Sequence, residues 1–161
     1  MDRWSFMRHK LENDYLAPSL RGRVRYFVTR YPWMPDYQGR AAIVVNGVEE
    51  LSGGYLELWP SDLLTGRETE EELARHLYFE GLNPHSFYDA FHEFDTQTVL
   101  ESLQSEDQIV RLFALFDRRV GKRTLQKLRE GLDAQTPAFR RFWAIRMAAE
   151  GLISPEGSPT I

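Results

Sequence analysis

Cysteine is absent from the 161 residues, which excludes disulfide frameworks, thiolate nucleophiles and Cys-based zinc sites together. Long apolar runs are missing too. No stretch approaches the ~18 apolar residues of a membrane helix, and the opening MDRWSFMRHK lacks the apolar centre of a secretory leader. The expectation is a cytoplasmic protein with no membrane partner. The chain also contains no GxSxG, no HExxH, no phosphate-cradling Gly loop and no dinucleotide fingerprint. Gly53-Gly54 has turn chemistry only, and nothing calls for a cofactor.

What is present suits an ordinary globular chain, long enough to bury about two thirds of its unfolded surface. The expected organisation is one domain over residues 1–153 followed by a frayed tail over 154–161, where SPEGSPTI is broken by two prolines. Charge is unevenly distributed. Residues 1–44 hold eight Lys and Arg against four Asp and Glu, residues 45–107 two against fifteen, and residues 108–148 ten against three. Such segregation either lets the parts face each other or prepares one part for a polar partner.

Trp4, Met7, Leu11 and Tyr15 recur at helical spacing, predicting a helix over residues 1–16 that Pro18 stops. From Arg23 the period becomes two, with Val24, Tyr26 and Val28 on one face of a strand and Arg23, Arg25, Phe27 and Thr29 on the other. RAAIVV is a second strand, and Asn46-Gly47 is the residue pair that a two-residue type I′ hairpin prefers. Residues 48–51 pair back, Ser52-Gly53-Gly54 breaks the strand, and YLELW offers a fourth. Thr69 with Glu72 opens a helix over residues 70–80, Asn83-Pro84 another, and residues 96–103 a short third.

A segment running from Ser105 to Gly121 is echoed 30 positions later from Gln135 to Gly151. The alignment puts Arg111 on Arg141, Leu112 on Phe142, Phe113 on Trp143 and Leu115 on Ile145. Ser105 with Gln108, and Thr136 with Pro137, are helix starts; Gly121 and Gly151 both suit a left-handed C-terminal cap. Paired amphipathic helices at this period are similar to short HEAT-type repeats. The fold expected is α+β: an N-terminal helix and a three- to four-stranded antiparallel meander, then a helical bundle ending in a HEAT-like hairpin stack.

Several of these residues resemble a family of small soluble bacterial proteins of uncharacterised activity. The resemblance rests on Trp4; on Pro18, Ser19, Leu20, Arg23 and Val24; on Thr29 and Tyr31; and on Gly39 and Arg40. Its most specific part is an Asp-Arg-Arg-x-Gly-Lys-Arg-x-Leu run, met by Asp117, Arg118, Arg119, Gly121, Lys122, Arg123 and Leu125. Phe142, Trp143, Arg146, Glu150 and Gly151 complete it. Relatives often carry Cys near position 147, where this chain has Met147. The resemblance implies the fold and no mechanism.

Three groups are candidates for function. Tyr31, Trp33, Met34 and Tyr37 form an interface-like loop, since Trp, Tyr and Met are enriched at binding surfaces; its alternative is burial in the core. Arg118, Arg119, Lys122, Arg123 and Lys127 form a basic junction suited to phosphate or nucleic acid. The same junction, with Asp117, Arg146 and Glu150, also suits an ion-pair network holding helices together. The third group is carboxylate and His, between Glu72 and His92, including His76 and His85. No spacing there matches a dedicated metal site, and none is expected. The leading expectation is a non-catalytic module that binds another protein. Nucleic-acid or phosphate binding and an enzyme near Glu72 to His92 are the alternatives.

Overall fold

The computed structural model describes residues 4–30, 39–54 and 84–154. The loop with Tyr31, Trp33, Met34 and Tyr37, the expected fourth strand, the helix expected over 70–80 and the tail beyond Ser154 lie outside them. The described residues have the α+β architecture expected: an N-terminal helix, a three-stranded antiparallel sheet, and then several helices. By its contacts the chain divides into two compact units, Met1–Arg8 with Gly22–Asp89, and His9–Arg21 with Ala90–Ile161.

Near the start of the chain, α1 (Trp4–His9) gives way to a π-helical turn, Lys10–Asp14, which with the rest of residues 9–21 belongs to the second unit. The helix therefore ends before Tyr15, and Pro18 does not stop it. Pro18 instead opens a separate 3-10 turn, Pro18–Leu20, as its first residue, where a missing N–H costs nothing. Strands β1 (Val24–Arg30), β2 (Gly39–Val45) and β3 (Val48–Gly54) lie in the order β1-β2-β3. The period of two is realised: Val24 and Tyr26 are buried, whereas Phe27 is 42% exposed under the Arg8 guanidinium, 5.2 Å from its ring centre. Tyr26 pairs across to Ile43, and Ile43 to Leu51, giving a continuous apolar row. The Phe87 ring joins that core, with Trp4 stacked 6.0 Å from it and Tyr26 edge-on at 6.3 Å.

The β2-β3 hairpin is the expected two-residue turn, with φ of 52° at Asn46 and 79° at Gly47. Asn46 also receives the Arg23 Nε–H on its side-chain oxygen and donates its own N–H to the Arg23 carbonyl, so the turn is tied to the start of β1. The pairing continues through Gly53 and Gly54, so these glycines do not break β3. The irregularity falls earlier, at a register shift between Ile43 and Val44.

The second unit contains the last part of α2 (Pro84–Thr96), α3 (Val99–Leu103), α4 (Gln108–Leu115), α5 (Lys122–Lys127), a 3-10 turn (Leu128–Ala134) and α6 (Pro137–Ala149). Proline opens α2 as expected. The short helix expected over 96–103 begins at Val99, with Thr98 as its cap: the Thr98 hydroxyl accepts the Glu101 N–H while Glu101 accepts the Thr98 N–H, a complete capping box. Asp107, not Ser105, caps α4 by accepting the Ile109 N–H, and Ser105 supports the Asp107 N–H from outside the helix. Thr136 caps α6 with Pro137 as first residue, as the sequence predicts.

The two echoed glycines differ. Gly151 has φ of +75°; its N–H bonds to the Ala148 carbonyl and the Leu152 N–H to the Met147 carbonyl, the double bond of a left-handed helix end. Gly121 is extended, with φ of -85°, and serves as the first-turn cap of α5, so the left-handed cap expected there is corrected. The segment from Phe116 to Val120 already turns the chain, leaving Gly121 only to start the next helix. Gly151→Val should therefore lower stability by about 1–2 kcal/mol, while Gly121→Val, whose Cβ meets nothing within 4 Å, should stay within about 0.5 kcal/mol. Equal melting losses in the two variants would reject this difference.

Candidate functional site

The basic junction lies between α4 and α5. An α-helix leaves its last carbonyls without internal partners, and α4 is finished by a side chain from elsewhere. Arg146 of α6, 3% exposed, donates from Nη1 to the Leu115 and Asp117 carbonyls at 2.8 Å each and from Nη2 to the Val120 carbonyl at 2.7 Å. Its Nε donates to Glu150 at 2.9 Å, one turn along α6, and Glu150 also accepts from the Ser19 hydroxyl. A planar, permanently charged fork suits a site with acceptors on several sides.

Asp117 is buried at 1% exposure and is satisfied locally. Its carboxylate accepts the Arg119 N–H at 2.7 Å and both Nε (3.0 Å) and Nη2 (2.7 Å) of the Arg119 guanidinium. The backbone on either side pairs with the chain start: Ala17 N–H donates to the Phe116 carbonyl, Arg118 N–H to the Tyr15 carbonyl, and Leu16 opposes Asp117 as an isolated antiparallel bridge. Arg119 then covers the Tyr15 ring, 4.9 Å from its centre, and approaches Phe94 at 5.8 Å. The Tyr15 hydroxyl donates to Asp95, which also pairs with Lys10 at 3.3 Å. Burial first, then the hydrogen bond to Asp95 and its charge, push the Tyr15 phenol up to about 12. It is held as a neutral donor.

Of the five junction cations, two are engaged within the fold. Arg119 belongs to Asp117, and Arg118 donates from Nε to the Asp14 carbonyl. Lys122, Arg123 and Lys127 are exposed on α5 and make no ion pair among the described residues. The opposite side of α5 is anchored: Leu125 is fully buried, and its carbonyl accepts the Trp143 indole N–H at 2.7 Å. The Arg129 guanidinium covers the Trp143 ring at 5.4 Å.

Arg146 was legible as a charged helix residue, but its role as an acceptor-filling donor was not, because the carbonyls it meets lie about 30 residues away in sequence. Lys10, Asp95 and the contact between Trp143 and Leu125 carried no signal beyond residue type, and Tyr15 was legible only as a member of an apolar helical stripe. Of the carboxylate and His group, Glu72, His76 and the His85 side chain lie outside the described residues, and His92 is exposed on α2. No cluster of three or more His, Asp or Glu side chains placed to hold a metal ion occurs among the described residues. Nor is any described helix long and apolar enough to cross a membrane.

The sequence matches one family description over residues 3–147, nearly the whole chain and including the five junction cations, Asp117 and Arg146. The chain belongs to the SF0329 protein family. No curated protein and no solved structure matches it. In this SF0329 chain the junction is both a structural knot and the base of an exposed cationic helix.

That knot has a pH signature. Burial raises the Glu150 pKa, but the Ser19 and Arg146 hydrogen bonds and the Arg146 and Lys122 charges outweigh it and leave it below the usual glutamate value. A carboxyl whose folded pKa is depressed adds stability that is complete above its unfolded pKa and is lost as pH falls through the folded one. Glu150→Gln should therefore flatten the acid side of melting temperature plotted against pH. Parallel acid limbs in variant and parent would contradict the pairing.

Proposed function

We propose that this SF0329 chain is a non-catalytic interaction module that presents the hairpin of α5 and α6 to a partner protein. The observation that carries this reading is the division of labour at the junction. Arg119 and Arg146 are committed to internal acceptors, whereas Lys122, Arg123 and Lys127 stand exposed on a helix whose inner side is pinned by Leu125 and Trp143. A rigid element carrying exposed charge is pre-organised for docking, since little ordering entropy remains to be lost. The loop with Tyr31, Trp33, Met34 and Tyr37 is a second contact region in this reading.

We read α4 and α6 as like members of a HEAT-type stack. In support, Ile109, Leu112, Phe113 and Leu115 of the first and Phe139, Phe142, Trp143 and Ile145 of the second are buried at equivalent positions of the 30-residue echo. A second reading, binding of nucleic acid or a phosphate ligand through the junction, keeps the same three exposed cations.

Capture with the tagged chain from a lysate of its own host at low salt, followed by a salt step, separates the two. A stoichiometric protein among the eluted species supports the module. A salt-released fraction dominated by nucleic-acid absorbance would replace it with the second reading.

A further inference from the structure

We propose that the hairpin of α5 and α6 docks a short, Asp- and Glu-rich polypeptide segment of its partner; this rests on the interaction-module reading. Charge complementarity requires an anion. Lys122, Arg123 and Lys127 of α5, Arg129 of the 3-10 turn and Arg140 of α6 are all exposed. Arg129 is drawn towards α6 by its place over Trp143, and Arg140 stands one turn before Trp143 on that helix. Exposed cations are thus carried by three successive elements of one hairpin, whose inner side is pinned by Leu125 and Trp143.

Two features select a polypeptide over nucleic acid. Single strands are held largely by stacking of bases on exposed rings, and here Phe139 and Phe142 are 1% exposed and Trp143 is 7% exposed with one face taken by Arg129. No ring is offered to a base on this hairpin. A duplex is held by its phosphates, at one charge per ~1.7 Å of axis, and tracking it needs an uninterrupted run of cations. The turn between α5 and α6 interrupts the run with exposed Glu130 and Asp133. An extended peptide advances ~3.3 Å per residue with side chains on alternate sides. It can place carboxylates against Lys122, Arg123, Lys127 and Arg140 and neutral residues against Glu130 and Asp133.

The test is a titration of the full chain, followed by amide and indole N–H resonances. The probes are a short Glu-rich peptide, the same peptide with Gln for Glu, and an oligothymidylate carrying the same number of charges. The acidic peptide should shift the amides of residues 122–129 and the Trp143 indole N–H, binding at least about tenfold more tightly than either control. R123E/K127E changes only exposed side chains and spares Lys122, whose charge supports Glu150; it should retain the parental melting temperature and lose that binding by at least about tenfold. Equal binding of the oligothymidylate, equal binding by the variant, or no shift in this segment would overturn the proposal. A captured partner protein that binds the charge-reversed variant as well as the parent would remove the acidic segment and leave the interaction module standing.

Discussion

Arg146→Met lowers stability by about 3–5 kcal/mol, read as a fall in the denaturant midpoint at unchanged slope. The methionine fills much of the volume but donates nothing. The carbonyls of Leu115, Asp117 and Val120 lose their shared donor inside the protein, and Glu150 keeps only Ser19 of its two hydrogen-bond donors. Breaking one side of such an arrangement is costly because the groups left behind have given up water and gained no replacement. For a domain whose whole stability is about 5–15 kcal/mol, the loss is a large share. Arg146→Lys should recover only a fraction of it, since a single ammonium cannot reach carbonyls on several sides and Glu150 together. A loss of under about 1 kcal/mol for the methionine variant would show that these carbonyls find water instead.

Phe142→Ala is expected to cost a similar amount, about 3–5 kcal/mol, through a different mechanism. Phe142 is 1% exposed and stacks on Phe116, ring centres 4.9 Å apart and planes 7° from parallel. Alanine removes the transfer free energy of a buried ring and opens a void beside Phe116 that the α4 end, already bound by Arg146, cannot close. Leu100→Ala, at a position 60% exposed on α3, should stay within about 0.5 kcal/mol. The double variant Phe116→Ala with Phe142→Ala should lose less than the sum of the two single losses, because one cavity is created rather than two. Strict additivity would mean that the stack contributes nothing beyond burial of each ring.

The features legible in the sequence were those decided by neighbours in the chain. Asn46-Gly47 specifies its turn, Thr136-Pro137 its helix start, and Val24 and Tyr26 their buried face, each through backbone or periodic constraints within a few residues. Gly121 and Gly151 mark the limit of that logic. They occupy the same place in an echoed pattern, yet one begins a helix and the other ends one, because Phe116 to Val120 is held in its turn by Arg146 and by Leu16 from distant segments. Similarly, Ser105 fits a helix start by residue type, but its hydroxyl donates to Glu93 and Asp107 takes the cap. At the junction the sequence suggested charge meeting charge. The dominant partners of Arg146 are carbonyls, which every residue carries and no pattern can single out.

The bridge between Leu16 and Asp117 sets when the second unit can close during synthesis. Residues 9–21 leave the ribosome early, but the rest of their unit follows some hundred positions later, on the order of 5–20 s at ~5–20 residues per second. During that interval Tyr15 has no guanidinium above it and Ala17 has no carbonyl to bond. The second unit therefore closes late, by capturing a segment made early. A fragment begun at residue 90 would contain α3 to α6 intact in sequence and still lack the Tyr15 ring beneath Arg119 and the acceptor for the Arg118 N–H.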